Sequence, residues 1–160
     1  TGEIRPVAGT PFDFRAFAPV RQAHPVDHNF CLSRARGPLR PVARLENRET
    51  GVAMELRTTE PGLQVYDGAK INVDLPGLAG RPMRANAGIA LEPQVWPDAH
   101  HHEAFPQAVL RPGELYREAL VARYLNLGLV CQYLPGHRHP VLKRKQRGLP
   151  GTCGVIYSIS

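Results

Sequence analysis

The stretch GVAMELRTTEPGLQVYDG, residues 51–68, carries two short alternating apolar runs on either side of TEPG, and its reading decides the fold. In the first run Val52, Met54 and Leu56 alternate with Ala53, Glu55 and Arg57, the period of two that a half-buried strand requires. In the second, Leu63 and Val65 point to a core while Gln64 and Tyr66 share the opposite face. Upstream, residues 42–45 are strand-like and the turn-prone 47–51 joins them to 52–58, which predicts a hairpin. Phe30, Cys31 and Leu32 form an apolar run that enters a further strand, and 87–95 repeats the alternation. Residues 115–124 repeat it again, in a form equally compatible with a helix. Residues 1–17 mix Gly, Pro and isolated apolar side chains and read as loop with short extended pieces. Sixteen Pro and fifteen Gly spread along the chain argue against long helices. The expected class is all-β, an antiparallel β-sandwich with solvent-facing loops that carry a site.

At 160 residues, 42% of them hydrophobic, the chain can bury one real core, and its pattern is too polar for a membrane span. The net charge of +6 is unevenly placed: residues 1–124 hold 15 Lys+Arg and all 14 Asp+Glu, while Arg138, Lys143, Arg144, Lys145 and Arg147 follow with no acid. A polyanion needs clustered cations across a folded body. The nearly neutral body and the lack of aromatic platforms beside KRKQR therefore predict no nucleic-acid partner. Cys31, Cys131 and Cys153 make an odd number without a CxxC pair, which fits reduced thiols and a cytoplasmic location. No targeting signal is expected, because Thr1 is not followed by a basic and then an apolar segment.

GIALEPQ, residues 88–94, places Ile89 and Leu91 on one face and Ala90, Glu92 and Gln94 on the other. A carboxylate and an amide that point the same way from the end of an apolar strand can meet a polyhydroxylated ligand, as proton acceptor and hydrogen-bond partner. Exposed Glu and Gln are also common on solvent-facing strands, so the alternation alone leaves both readings open. His100, His101 and His102 invite a metal reading, but consecutive residues on an extended chain diverge, so a solvated loop and no metal are expected.

Several segments together resemble the aldose 1-epimerase (galactose mutarotase) family, in order, over residues 1–124. TGEIRPVAGTPFDFR resembles its segment leading into the catalytic Asp, and VDHNFCL its DHNF motif. TTEPGLQVYDG is similar to PGxQxYTG, and ALEPQVWPDAHHHEAFPQAVLRPGELY to the run from the catalytic Glu through FP to LRPGE. The resemblance implies the C-terminal portion of a galactose mutarotase-like supersandwich. It implies Glu92 as general base, Asp27 and Gln64 as sugar contacts, a free hexose such as glucose or galactose as substrate, and no cofactor.

The sequence departs from the family in four respects. Nothing matches the HPYFNL-like or NHSYFNL-like motif that carries the family's acid His; His24 reads as a loop residue and His28 as a partner of its surroundings. Pro93 removes a backbone donor beside the base, tolerable at a sheet edge or bulge, and Asp67 replaces the Thr after Tyr66. Residues 125–160 match nothing and are expected to be a basic tail, frameshifted or disordered, beyond a boundary near 124. Half a sandwich also predicts exposed apolar faces and association. Two further readings stand beside the epimerase: a non-catalytic sugar-binding remnant, and a phosphorylated-hexose epimerase in which Arg81 and Arg84 serve the phosphate.

Overall fold

The structure is a computed structural model that describes residues 2–23, 25–77, 80–127 and the backbone of 155–159. Ten strands follow one another: β1 (Ala18–Pro19), β2 (Asp27–Cys31), β3 (Arg40–Asn47), β4 (Val52–Thr58), β5 (Gly62–Tyr66), β6 (Val73–Pro76), β7 (Pro82–Met83), β8 (Ala90–Gln94), β9 (Leu120–Asn126) and β10 (Val155–Ile159). The helical elements among the described residues are short 3-10 turns, at Val20–Ala23 and Ala99–His101. Every strand pair is antiparallel. The fold is all-β, as the alternation predicts, and no helix among the described residues is long and apolar enough to cross a membrane.

A five-stranded sheet runs β1-β10-β3-β4-β9, a three-stranded sheet β2-β5-β8, and β6-β7 form a separate ribbon. The expected hairpin is β3–β4: Asn47 pairs with Val52, Gly51 turns at φ 69, and the Asn47 Oδ1 accepts the Glu49 and Thr50 N–H groups. One cluster joins the sheets, with Val42, Ala43 and Leu56 from the larger and Phe30, Leu63 and Val65 from the smaller. A register shift between Pro41 and Ala43 accompanies the burial of Val42 and Ala43 in succession, as a bulge permits. Phe14, 1% exposed, fills the core from the otherwise irregular N-terminal segment.

Three expectations change in detail. Val52 is 48% exposed, because it pairs with Asn47 and Asn126 where the sheet ends, whereas Ala53 on the other face is buried. The alternation across 115–124 becomes a strand only from Leu120, where pairing to β4 begins, and β9 continues past residue 124. The ribbon β6–β7 has no counterpart in the expected elements, since its pairing is interrupted and its residues are exposed throughout. Leu120, Val121 and Tyr124 on the edge strand β9 are exposed.

The two sheets are connected by residues 59–61, the centre of the TTEPG segment. The Pro61 carbonyl accepts three N–H donors, from Leu32 (2.8 Å), Ser33 (3.1 Å) and the Trp96 indole (3.0 Å), which ties the ends of β2 and β8 to the entry of β5. At the far end of β5, buried Asp67 does the same work. Its Oδ2 accepts the Val26 N–H (3.1 Å) and its Oδ1 the Ala69 N–H (2.9 Å), while its own N–H donates to the Val26 carbonyl. Exchanging one carboxylate oxygen for an NH2 group turns a donor toward a donor, so Asp67→Asn is expected to cost about 1–2 kcal/mol of unfolding free energy in a urea titration.

Candidate active site

Register within the three-stranded sheet assembles the site. Asp27 lies opposite Tyr66, which lies opposite Ala90; Asn29 lies opposite Gln64, which lies opposite Glu92; Cys31 lies opposite Gly62, which lies opposite Gln94. Directly opposed residues of an antiparallel pair project to the same face. One face therefore carries Asp27, Asn29, Gln64, Tyr66, Glu92 and Gln94, and the other carries Phe30, Leu63, Val65 and Leu91 against the core. The three residues expected at the site, Asp27, Gln64 and Glu92, come from three strands and share one surface.

The polar groups on this face hold one another. Gln64 Nε2 donates to Asp27 Oδ1 at 2.9 Å, and Lys70 Nζ lies 3.4 Å from Asp27 Oδ2. Because the Asp27 and Lys70 side chains are 47% and 77% exposed, this ion pair orients the carboxylate more than it stabilises the fold. Gln94 Nε2 donates to Asn29 Oδ1 at 3.5 Å, and the Lys70 N–H donates to the Tyr66 hydroxyl at 3.0 Å. Glu92 is exposed, and among the described residues no donor reaches its carboxylate, which leaves its lone pairs available. Gly62 forms the floor of this face: a Cβ there would stand 2.8 Å from Asn29 Oδ1 and 3.0 Å from both the Gln94 carbonyl and Trp96 Cδ1. Even Ala at this position would push the amides apart.

Pro93 pairs with Leu63 on β8, which is an edge strand of its sheet, the place where a missing backbone donor is tolerated. Asn29 was singled out by nothing in the sequence reading, although it lies within DHNF; the alternation Asp27, Asn29, Cys31 was the signal that places it beside Gln64. His28 lies on the opposite face, with its ring 4.5 Å from Phe12 and its Nδ1 accepting the Asp27 N–H, so it partners its surroundings. His24 and the KRKQR run lie outside the described residues. Arg81 and Arg84 are exposed and flank β7. The histidine run departs from expectation: residues 99–101 form a 3-10 turn in place of an extended loop.

The family model described as aldose 1-epimerase matches residues 1–123. The galactose mutarotase of Rattus norvegicus is 40% identical over 124 residues, covering 72% of this chain and 35% of that protein. The galactose mutarotase of Homo sapiens is 39% identical over 124 residues with the same coverage, and the aldose 1-epimerase of Escherichia coli K12 is 30% identical over 125 residues, 71% of this chain and 36% of that protein. The chain thus spans about a third of the length of these relatives. On the match over residues 1–123 and these identities, the chain belongs to the aldose 1-epimerase family.

Proposed function

We propose that residues 1–124 supply the base and sugar-binding side of an aldose 1-epimerase site that interconverts the α and β anomers of a free hexose such as glucose or galactose. The observation that carries this reading is the shared face of β2, β5 and β8, on which Glu92 stands two strands from Asn29 and the Asp27–Gln64 hydrogen bond lies beside it. In the proposed reaction Glu92 takes the proton of the anomeric hydroxyl, a second group protonates the ring oxygen, and the C1–O bond to the ring opens to the aldehyde. Rotation about the bond to C1 and the reverse proton transfers give the other anomer. Electrons and atoms balance without a redox step, so the proposal includes no cofactor.

Asp27 and Gln64 bind ring hydroxyls in this scheme. Their mutual hydrogen bond fixes which Gln64 atom faces the sugar: the amide nitrogen is spent on Asp27, and the carbonyl oxygen remains to accept a hydroxyl. Losing one such bond is expected to raise KM for Gln64→Ala by about three- to tenfold, in the range of one net hydrogen bond. A kcat that falls as steeply as kcat/KM would instead give Gln64 a role in the transition state alone.

The acid is not proposed from this face, because the described histidines lie elsewhere: His28 beneath it, His100 to His102 in the turn after β8. A non-catalytic sugar-binding role is the second reading, and that same arrangement of histidines favours it. Polarimetry of freshly dissolved α-D-glucose separates the two. Acceleration above buffer supports the epimerase, whereas hexose binding without acceleration supports the binding role. We further propose a cytoplasmic location, supported by the odd cysteine count and the free thiol of Cys31.

A further inference from the structure

The turn that follows β8 is built more firmly than an exposed loop needs to be. Trp96, 4% exposed, anchors its start through the indole bond to the Pro61 carbonyl, and Ala99, 3% exposed, is buried in its middle. Gln107 Nε2 closes it from the far side by donating to the carbonyls of Ala99, His102 and Phe105, each at 3.0 Å. Phe105 packs edge-on against Trp96, with centroids 5.1 Å apart, and stacks on His102 at 4.6 Å. Asp98 enters the turn at φ 60, and the His101 and His102 N–H groups donate to the carbonyls of Asp98 and Ala99. Because the backbone is held from beneath, the side chains of Asp98, His100 and His101 project outward from fixed Cα positions.

We propose that Asp98, His100 and His101 form a surface site for a divalent first-row transition metal ion of the zinc type. One ligand atom from each of the three lies within 4.8 Å of the others. Ligands at about 2.0–2.1 Å around a tetrahedral ion stand about 3.3 Å apart, so small rotations of exposed side chains complete the site. Two imidazoles and one carboxylate suit Zn2+, Co2+ and Ni2+, and water fills the remaining position. The imidazoles are already close, with centroids 3.7 Å apart, and His101 Nδ1 lies 2.5 Å from Asp98 Oδ1. His102 is not a ligand in this scheme: it stacks on Phe105 and reaches Asp98 Oδ2 at 3.4 Å, where it steadies the carboxylate from behind.

The test is calorimetric titration of the full chain with Zn2+. The expected result is a 1:1 component that weakens by about tenfold or more in both His100→Ala and His101→Ala, as ligand loss requires. It should be kept in a His137→Ala/His139→Ala variant, which controls for the two histidines that follow residue 124. Far-UV circular dichroism of each variant verifies the fold, which exposed substitutions leave intact. Retention of full affinity in the His100 and His101 variants, or its transfer to the control pair, overturns the proposal. Replacing Zn2+ by Co2+ adds a second readout: visible d–d absorption that His101→Ala removes supports the site, and a spectrum indifferent to the substitution opposes it.

Discussion

If Glu92 is the base of the proposed epimerase reaction, Glu92→Gln is expected to lower the acceleration of mutarotation over buffer by about 10²–10⁴-fold, the usual contribution of a positioned general base, with no change in melting temperature. The split between activity and stability follows from the position of the side chain. Glu92 is exposed on β8 and takes no hydrogen bond from the described residues, so its carboxylate contributes nothing measurable to folding. The amide has the same shape, leaves the strand register with Gln64 unchanged, and cannot accept the anomeric proton. Polarimetry against buffer gives the rate and circular dichroism the melt. An unchanged rate would remove Glu92 from the chemistry, and a lowered melting temperature would mean that its main role is in the fold.

The residues on which that prediction rests were legible in the sequence because strand alternation is local. LQVY fixed the common face of Gln64 and Tyr66, ALEPQ that of Glu92 and Gln94, and the hairpin β3–β4 followed from a turn between two alternating runs. What brings the two runs together is not local. Asp27 meets Gln64 across 37 residues, and the register that opposes Asn29, Gln64 and Glu92 is set by Pro61 and Asp67 at the two ends of β5. Neither residue shows this in its sequence neighbourhood: a Pro in TEPG reads as a turn, and Asp67 reads as a substitution at a motif position. The 3-10 turn of the histidine run is hidden from its local sequence for the same reason, since its conformation depends on Gln107 and on the burial of Trp96 and Ala99.

The roles expected of Glu92, Asp27 and Gln64 are implied by the resemblance alone, since alternation leaves Glu92 and Gln94 open to a solvent-facing reading. Geometry adds a constraint that neither source contained. Gln64 is committed through its nitrogen to Asp27, and Lys70 reaches the other oxygen of the same carboxylate, so the three form one hydrogen-bonded unit. A substitution at Asp27 therefore frees the Gln64 amide to rotate, and the effects of changing Asp27 and Gln64 together should be less than additive.

The largest stability effect is expected at the crossing between the sheets, where Arg36→Ala should cost about 2–4 kcal/mol in urea-induced unfolding. Glu60 is fully buried, and its Oε1 accepts the Arg36 Nε–H at 2.7 Å, while its Oε2 has no hydrogen-bond partner among the described residues. Removing the guanidinium leaves a buried carboxylate uncompensated, the costly way to break an ion pair. The Arg36 side chain is 35% exposed and packs 4.7 Å over the Tyr116 ring, so water reaching the vacated space offsets part of that cost, and the lower half of the range applies if it does. Glu60→Gln removes the charge instead of its partner and should cost only about 1 kcal/mol. The double variant then separates charge from packing: with no carboxylate left to desolvate, Arg36→Ala added to Glu60→Gln should cost well under half of what it costs alone. Equal costs in the two backgrounds would mean that the contact with Tyr116, and not the carboxylate, is what Arg36 supplies.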